Sequence, residues 1–262
     1  MSNPLSKTVM VTGATSGIGK ATATLFAKRG YNLIITGRRN EKLEFLKQKF
    51  KRKYATKVIA LCFDIRNAKE TKKAWNRLNP EWKQIDILIN NAGLAKGFAP
   101  IHKGKVDDWE QMIDTNIKGL LYITRLVSPG MVKLKKGHIL NVCSTAGHEV
   151  YPNGNVYSST KHAVDALTKS MRLDLHTHGI RVSQISPGMV EETEFAKVRF
   201  DGDLKKASIY EDFNPLTAKD VAEIIQFMVT RKRHVNIQDV LVMGTQQASS
   251  NFVDRSGRAT NE

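Results

Sequence analysis

The segment TVMVTGATSGIGK, residues 8–20, decides which fold the chain adopts. It begins with a short, mostly apolar run that is typical of a buried strand, and it ends where a helical pattern begins. Between the two lies TGATSGIG, residues 12–19, a glycine-rich turn. A strand that leads through such a turn into a helix offers a phosphate free backbone N–H groups and the positive end of the helix dipole. The segment therefore predicts the first strand–helix unit of a sheet that binds phosphate groups.

Three glycines give this turn its shape. Gly13 permits a tight turn, Gly17 lets the backbone approach a pyrophosphate, and Gly19 allows the helix to pack closely on the strand. Many ordinary loops contain glycines, so the position between a first strand and a first helix is what favours a phosphate site. The predicted site is the whole turn: Gly13, Ala14, Thr15, Ser16, Gly17, Ile18 and Gly19.

Strand-like and helix-like segments alternate along the rest of the chain. Continuous apolar strands between helices indicate a parallel sheet covered on both faces. The predicted fold is therefore α/β, a single Rossmann-type doubly wound parallel sheet with helices on both faces. No repeat or linker interrupts the pattern, so we expect one domain over residues 1–262, with a tail-like end from about residue 251. The strand candidates are TVMV (8–11), NLIIT (32–36), KVIALCFDI (57–65), DILIN (86–90), HILNVCS (138–144), IRVSQIS (180–186) and DVLVM (239–243).

Composition narrows the class of protein. The chain has 262 residues, of which 41% are hydrophobic, and contains no run of about 18 apolar residues as a membrane span would need. The N-terminus lacks the pattern of a secretion signal, so we expect a cytoplasmic protein without membrane contact. Cys62 and Cys143 both lie in apolar runs and are expected to be buried free thiols.

The charge balance is strongly basic, with 41 Lys and Arg against 25 Asp and Glu, a net charge of +16. Nucleic-acid binding through phosphate contacts is one interpretation of the clusters at Lys47–Lys53, Lys133–Lys136 and Arg231–Arg233. Their place at apparent helix ends and loops, without interleaved aromatic residues, favours a solvated lysine-rich surface instead. We therefore do not expect a nucleic-acid partner, although the basic field would attract a polyanionic cofactor or an acidic substrate.

The second strand candidate ends in TGRRNEKL, residues 36–43. A site for NAD would place an acidic residue here to bind the ribose 2′-hydroxyl, whereas this chain has Arg38 and Arg39. Guanidinium groups bind a 2′-phosphate, so the predicted cofactor is NADP. The alternative is a pair of solvated arginines at the start of a helix.

The stretch NVYSSTKHAV, residues 155–164, holds Tyr157 and Lys161 four positions apart in a helical run. Side chains at i and i+4 share a helix face. An ammonium group beside a phenol favours the phenolate, which allows proton exchange near neutral pH. The alternative is an ordinary amphipathic helix surface.

The glycine turn, NNAG at 90–93, Ser144 and the Tyr157/Lys161 pair stand in one order, and the chain thereby resembles the short-chain dehydrogenase/reductase family. Within it the chain is similar to the NADP-dependent 3-hydroxy acid dehydrogenases, which act on serine, allo-threonine and related acids or on malonic semialdehyde in reverse. The resemblance covers about residues 8–247. It is carried by TGRRNEKL, DILINNAGLAKG, DDWEQMIDTNIKGLLYITR, GHILNVCSTAGHEVYPNGNVY, PGMV and TEFAKVRFDGD.

The resemblance implies the catalytic roles. Ser144 would hydrogen-bond the substrate oxygen, and Tyr157 would be the general acid/base. Lys161 would lower the tyrosine pKa and hold the nicotinamide ribose, and Asn116 would support a proton-relay water. No metal is needed, and no cluster of His, Cys and carboxylates has metal-ligand spacing.

The resemblance also implies contacts with the rest of the cofactor. Asp64 and Ile65 would meet the adenine, although Asp64 alternatively caps a turn, and Asn90 and Asn91 alternatively bridge strands. We interpret the histidines as surface or loop residues, namely His102, His138, His148 and His162. The remaining expected contacts are Asn91, Ala92 and Gly93 with the ribose, and Pro187, Gly188, Val190, Thr193, Glu194 and Phe195 with the nicotinamide.

A substrate flap and an assembly follow from the same resemblance. TEFAKVRFDGD would cover the substrate, with Arg199 holding its carboxylate; alternatively Arg199 pairs with Asp201 or Asp203. Glu191 and Glu192 replace two glycines common in the subgroup and would either repel an anionic substrate or stiffen the flap. The long helices at about 106–134 and 155–177 would pair between subunits of a homotetramer.

Three functions remain open at this point. The first is oxidation or reduction of a small 3-hydroxy acid, with serine, allo-threonine, 3-hydroxyisobutyrate and 3-hydroxypropionate as alternative substrates. The second is reduction of a 3-oxoacyl group on an acidic carrier protein. The third is a non-catalytic NADPH sensor or regulator, which the acid/base residues disfavour because a binder has no need of them.

Overall fold

The predicted alternation of strands and helices is present in the computed structural model, which describes residues 7–203 and 209–258. The strands are β1 (Thr8–Val11), β2 (Asn32–Gly37), β3 (Val58–Cys62), β4 (Ile87–Asn90), β5 (Gly137–Val142), β6 (Ile180–Pro187), β7 (Val190–Glu191), β8 (Leu216–Thr217) and β9 (Asp239–Val242). The helices are α1 (Gly17–Lys28), α2 (Asn40–Tyr54), α3 (Ala68–Asn76), α4 (Val106–Ile113), α5 (Leu120–Leu134), α6 (Asn155–Leu175), α7 (Phe195–Arg199) and α8 (Ala218–Val229).

Seven of these strands form one parallel sheet in the order β3-β2-β1-β4-β5-β6-β9. The order reverses beside β1, because the chain first moves outward to β3 and then returns to place β4 on the other side of β1. Val11 of β1 accordingly lies between Ile35 of β2 and Ile89 of β4. This reversal is the switch point of the sheet, and ligands of open α/β sheets bind at the carboxyl edge beside such a point.

The core lies on both faces of the sheet. Alternate residues of a strand point to opposite faces, so Val9 and Val11 pack in the apolar cluster under α1, α2 and α8, with Phe26 among their neighbours. Met10 packs in the cluster on the opposite face, with Ile123 from α5. Helices thus cover both faces of a doubly wound parallel sheet, and the predicted fold class is confirmed.

The sequence patterns did not predict α8, although its first turn carries a recognisable signal. The Asp220 backbone N–H donates to Thr217 Oγ1 at 3.2 Å, and the Thr217 backbone N–H donates to Asp220 Oδ2 at 2.7 Å, which is a capping box. The buried residues of the helix recur with helical spacing: Ala218, Val221, Ala222, Ile225, Met228 and Val229.

Two expectations about single side chains were wrong. Cys62 is exposed, because β3 is an edge strand and Cys62 is its last residue, whereas Cys143 is buried as predicted. His138 is a core residue with 1% of its surface exposed, because it lies in a strand flanked by β4 and β6. Its Nε2 lies 2.7 Å from Ser183 Oγ.

The expected tail is attached to the domain through residue 258. Residues 251–258 contain no helix, but Arg255 pairs with Asp212 at 2.5 Å and Arg258 pairs with Glu191 at 2.6 Å. The segment therefore packs beside the flap that covers the carboxyl edge of the sheet, and residues 259–262 lie outside the described residues.

Among the described residues, no helix is both long enough and apolar enough to cross a membrane. The basic clusters lie where the patterns predicted, in the last turns of α2, around the end of α5, and directly after α8.

Candidate active site

A cavity of about 930 Å³ lies at the carboxyl edge of the sheet, between the loops that follow the strands. Almost all of the predicted site residues line it; Ala14, Gly19 and Asn116 do not. The predicted residues in its wall are Gly13, Thr15, Ser16, Gly17, Ile18, Arg38, Arg39, Asp64, Ile65, Asn91, Ala92, Gly93, Ser144, Tyr157, Lys161, Pro187, Gly188, Val190, Thr193, Glu194, Phe195 and Arg199.

The glycine turn leads from β1 into α1, as predicted. The first turn of α1 has no capping side chain and no acidic residue, so its N–H groups are available to an anion in the cavity. Gly13 and Gly17 have φ values of +66° and +48°, in the left-handed region that favours glycine. Gly19 lies behind the turn, where a Cβ atom would come within 2.4 Å of Gly13 O. The turn therefore fits a pyrophosphate.

Arg38 and Arg39 directly follow β2 at the edge of the cavity, in the stretch of chain where an NAD site would carry an acidic residue. Arg38 is exposed, whereas Arg39 donates to Thr15 Oγ1 at 2.7 Å and pairs with Glu194 at 2.6 Å. Glu194 also pairs with Lys42 at 2.9 Å. Although partial burial raises the pKa of Glu194, hydrogen bonds from Lys42 and Arg39 lower it below the usual range. The carboxylate therefore stands where a 2′-phosphate would meet Arg39.

Polar residues at or just after the ends of β3 and β4 form hydrogen bonds that hold the loops around the cavity in place. The Arg66 backbone N–H donates to Asp64 Oδ1 at 3.0 Å, so Asp64 caps a turn, as the alternative interpretation held. Asn91 Nδ2 donates to Thr12 O at 2.9 Å and ties the loop after β4 to the turn after β1. Asn90 Nδ2 donates to Asn141 Oδ1 at 2.9 Å and links β4 to β5.

Tyr157 and Lys161 lie on the same face of α6, and each is 7% exposed. Burial raises the pKa of Tyr157 to about 12, against the lowering effects of a hydrogen bond with Ser144 and of the Arg199 charge. Lys161 Nζ donates to Val142 O at 2.9 Å and lies 5.9 Å from the centre of the Tyr157 ring. Burial lowers the pKa of Lys161. The expected influence of Lys161 on the Tyr157 pKa stays a prediction.

Asn116 is buried behind the cavity, in a short π-helical segment, Asp114–Gly119, between α4 and α5. Its Nδ2 donates to Leu94 O at 2.9 Å and to Thr160 Oγ1 at 3.0 Å, and its Oδ1 accepts from the Leu94 backbone N–H at 2.9 Å. Asn116 thus ties the loop after β4 to the helix that carries Tyr157. Single π-helical turns occur frequently at functional sites. Its support of a relay water stays a prediction.

Arg199 lies at the end of α7 in the flap, residues 193–203, and is 8% exposed. Its Nη1 donates to Tyr151 Oη at 3.0 Å, and its Cζ lies 4.7 Å from the ring centre of Phe98 and 5.7 Å from that of Tyr157. Its Nε and Nη2 are buried without a hydrogen-bond partner. Asp201 pairs with Lys96 instead, and no ion pair joins Arg199 to Asp201 or Asp203.

Tyr151 and Tyr210 also line the cavity, and neither was predicted as a site residue. Burial raises the pKa of each to about 12, so both phenols are neutral at pH 7. Tyr151 falls within the resembling stretch that ends at Tyr157, which was the available signal. Tyr210 follows the flap in a stretch without a regular pattern, so only its position in space identifies it.

Glu191 and Glu192 do not line the cavity. Glu191 pairs with Arg258 from the C-terminal segment, and Glu192 has a φ of +57°, in the left-handed region. Of the two expectations, repulsion of an anionic substrate is therefore not supported, and Glu191 instead anchors the chain just before the flap. Over residues 7–203 and 209–258 no three His, Cys, Asp or Glu side chains are grouped as a metal ion would need.

The sequence profile of the short chain dehydrogenase family matches residues 7–203. The chain belongs to the short-chain dehydrogenase family. The match includes the turn after β1, Asn116, Ser144, Tyr157 and Lys161, so the resemblance drawn from those residues is confirmed.

Individual relatives place this short-chain dehydrogenase near one subgroup. It is 45% identical over 241 residues to the NADP-dependent 3-hydroxy acid dehydrogenase YdfG of Escherichia coli strain K12, covering 92% of this chain and 96% of that protein. It is 41% identical over 249 residues to the serine 3-dehydrogenase of Rhizobium radiobacter, covering 95% and 98%. The closed form of a serine dehydrogenase complexed with NADP⁺ has a TM-score of 0.88 at 44% identity, covering 94% of this chain and 98% of that one.

Proposed function

We propose that this short-chain dehydrogenase is an NADP(H)-dependent oxidoreductase that interconverts a small 3-hydroxy acid and its 3-oxo acid. One observation carries the proposal: a buried guanidinium group with two unpaired nitrogens, that of Arg199, lies in the same cavity as Tyr157. A carboxylate supplies the charge and the acceptors that such a group lacks. The names of the relatives, a 3-hydroxy acid dehydrogenase and a serine 3-dehydrogenase, support the same substrate class.

NADP(H) fits the cofactor half of the cavity. The open first turn of α1 would hold the pyrophosphate, and Arg38 and Arg39 would hold the 2′-phosphate. The loops after β3 and β4 would border the adenine and ribose, and residues 187–193 with Phe195 the nicotinamide. Glu194 was expected there too, but it pairs with Arg39 and therefore lies at the 2′-phosphate end of the site. When bound, NADP⁺ accepts a hydride from the carbon that carries the hydroxyl group.

Tyr157 would take the hydroxyl proton during oxidation and return it during reduction. Ser144 interacts with the Tyr157 hydroxyl and would hold the substrate oxygen beside it. Lys161, next to both Val142 O and the Tyr157 ring, would hold the nicotinamide ribose and favour the phenolate. These residues would position the reacting carbon and transfer the proton of the hydroxyl group that it carries.

The substrate carboxylate would bind Arg199 through Nε and Nη2. Since Tyr151 Oη accepts a hydrogen bond from Arg199 Nη1, its own hydrogen is available to the carboxylate. Serine, allo-threonine, 3-hydroxyisobutyrate and 3-hydroxypropionate all carry a carboxylate carbon two bonds from the carbon that bears the hydroxyl group, so they are alternative candidate substrates. A homotetrameric assembly and a cytoplasmic location complete the proposal.

The test is an initial-rate panel of those four acids with NADP⁺ and NAD⁺, followed by absorbance of the reduced nicotinamide. We expect turnover of at least one acid with NADP⁺. Arg199→Ala should raise KM for the acids about ten- to a hundred-fold, because hydrogen bonds to charged groups are lost, and should barely change KM for an uncharged alcohol of similar shape. Arg52→Ala, at an exposed arginine near the end of α2, is the control.

Two outcomes would contradict the proposal. Equal effects of Arg199→Ala on the acids and on the uncharged alcohol would mean that Arg199 only shapes the flap. Turnover of a 3-oxoacyl thioester without turnover of any hydroxy acid would favour the carrier-protein reductase.

A further inference from the structure

Two cations lie at nearly equal distances from the ring of Tyr157. Lys161 Nζ is 5.9 Å from the ring centre, and Arg199 Cζ is 5.7 Å from it. Lys161 belongs to the same helix as Tyr157, whereas Arg199 reaches the ring from the flap. The acid/base tyrosine therefore has a second cationic neighbour on an element that also covers the substrate.

The charge of Arg199 is not neutralised by any carboxylate that the structure describes. Its Nη1 is bonded to a neutral phenol, Tyr151, and its Nε and Nη2 have no partner. Because the side chain is 8% exposed and surrounded by aromatic rings, water screens its charge weakly. A bound carboxylate would neutralise it.

The other ionisable groups around Tyr157 are neutral at pH 7, apart from Lys161. They come from the end of β5, from the loop before α6 and from the segment after the flap: Cys143, Tyr151 and Tyr210. Burial raises the pKa of the Cys143 thiol and of both phenols. Arg199 is thus the neighbour of Tyr157 whose positive charge a bound anionic substrate would neutralise.

We propose that Arg199 makes Tyr157 a stronger acid in the free site, and that a bound substrate carboxylate cancels this effect, so that anion binding and protonation of Tyr157 are coupled. The coupling rests on the proposed function, because the substrate must carry the carboxylate. It works in both directions: the acid binds more tightly when Tyr157 holds its proton, and Tyr157 holds its proton more tightly when the acid is bound. Arg199 is therefore a positioning residue for proton transfer as well as the carboxylate anchor.

This coupling has a chemical consequence for the direction of the reaction. Reduction of a 3-oxo acid needs Tyr157 protonated when the substrate binds, which is the state that the bound carboxylate favours. An uncharged ketone leaves the Arg199 charge in place and meets a tyrosine that releases its proton more readily.

The test uses the full enzyme with saturating NADP⁺ and two matched substrates, 3-hydroxypropionate and the uncharged 3-hydroxypropionamide, from pH 6 to 10.5. For the amide, removal of the charge in Arg199→Met should displace the profile of kcat/KM by about one to two pH units to higher pH, as expected for unit charges several ångströms apart in a partly desolvated site. Arg199→Lys keeps the charge and should displace the profile less. In the wild-type enzyme the kcat profile should lie at higher pH for the acid than for the amide, and this difference should vanish in Arg199→Met.

Each outcome decides one of the two proposals. If the amide profiles of wild type and Arg199→Met coincide while the acid loses affinity, Arg199 is only an anchor; the coupling is then overturned and the proposed function stands. If the profile moves in Arg199→Met but the wild type shows no preference for the acid, the substrate class is wrong and the influence of Arg199 on Tyr157 stands. The thermal midpoint and the NADPH dissociation constant of each variant control for a general disturbance of the fold, and Arg52→Met, at an exposed arginine of α2, controls for the substitution itself.

Discussion

Tyr157 combines deep burial with a hydroxyl group that interacts with Ser144. Replacing it with phenylalanine keeps the ring in the apolar contacts with Phe195 and removes only the group that moves the proton. We expect Tyr157→Phe to lower kcat by about 10²- to 10⁴-fold while the NADPH dissociation constant changes little. Steady-state rates and fluorescence titration with NADPH measure the two quantities. Near-normal turnover would remove Tyr157 from the mechanism.

Arg38 and Arg39 differ in their surroundings, although they are adjacent in the chain. Arg39 is held by Thr15 and Glu194, whereas Arg38 is exposed at the cavity edge. Replacing both by alanine should weaken binding of NADPH far more than binding of NADH, because only NADPH carries the 2′-phosphate. Isothermal titration with both cofactors checks this, with Arg52→Ala on the exposed end of α2 as control. An equal loss of affinity for NADPH and NADH would indicate that the two arginines have a structural role instead.

His138 makes a third prediction at the scale of one residue. Burial and the nearby Arg181 charge lower its pKa to about 3, so the folded protein keeps it neutral where an unfolded chain, with a pKa of about 6.5, binds a proton. Between these two values the free energy of unfolding should fall by about 1.4 kcal/mol for each pH unit of acidification from this residue alone. His138→Leu removes this contribution. Urea unfolding at pH 7, 6, 5 and 4 gives the free energy of unfolding at each pH. This free energy should change less with pH in His138→Leu than in His162→Gln, an exposed control. An identical pH dependence in the two variants would disprove the lowered pKa of His138.

At the scale of elements, the flap is joined to α2 across the cofactor part of the cavity. Glu194 at the start of the flap pairs with Arg39 at 2.6 Å and with Lys42 at 2.9 Å. Because these pairs are partly exposed, each is worth at most about 1 kcal/mol. A 2′-phosphate bound to Arg39 would compete with the Glu194 carboxylate for the same guanidinium group.

Glu194→Gln should therefore tighten NADPH binding about two- to five-fold and leave NADH binding unchanged. The matched control is Glu44→Gln, which removes an acid that pairs with Lys47 on α2 and does not line the cavity. Dissociation constants for both cofactors decide the matter. Weaker NADPH binding in Glu194→Gln would show that the carboxylate holds the flap over the cofactor instead.

The spacing of apolar residues predicted most strands and helices, because each apolar run must be buried against the rest of the fold. The strand bounds agree closely with the predicted ones at Thr8–Val11 and Asn32–Gly37, where four or more consecutive apolar or β-branched residues occur. The π-helical turn at Asp114–Gly119 has no such signal, because it depends on how α4 and α5 continue one another. The helix over Ala218–Val229 has both a capping signal and helical spacing of its apolar residues, so local sequence is sufficient to specify it.

At the scale of the whole molecule, several large apolar side chains are exposed on the helices expected to pair between subunits. Val106 is 60% exposed, Leu121 38%, Leu134 39% and Leu173 73%. Burying them between subunits would stabilise an assembly. We expect sedimentation equilibrium at micromolar concentration to give about four times the chain mass of 29.4 kDa.

Leu173→Lys places a charge among these side chains and should lower the measured mass, whereas Phe45→Lys, at an exposed side chain of α2, serves as a control for added charge. A wild-type mass near that of one chain would rule the tetramer out.

The sequence by itself determined the order of strands and helices, the phosphate turn, the two arginines after β2 and the shared helix face of Tyr157 and Lys161. These features depend on periodicity, glycine conformation and i,i+4 spacing, which act over a few neighbouring residues. Only the tertiary structure decided that Arg199 meets Tyr157 and Tyr151, that Glu194 pairs with Arg39, and that His138 is buried while Cys62 is exposed. Those contacts join segments far apart in the chain, and they arise because strand order and flap packing bring the segments to one edge of the sheet.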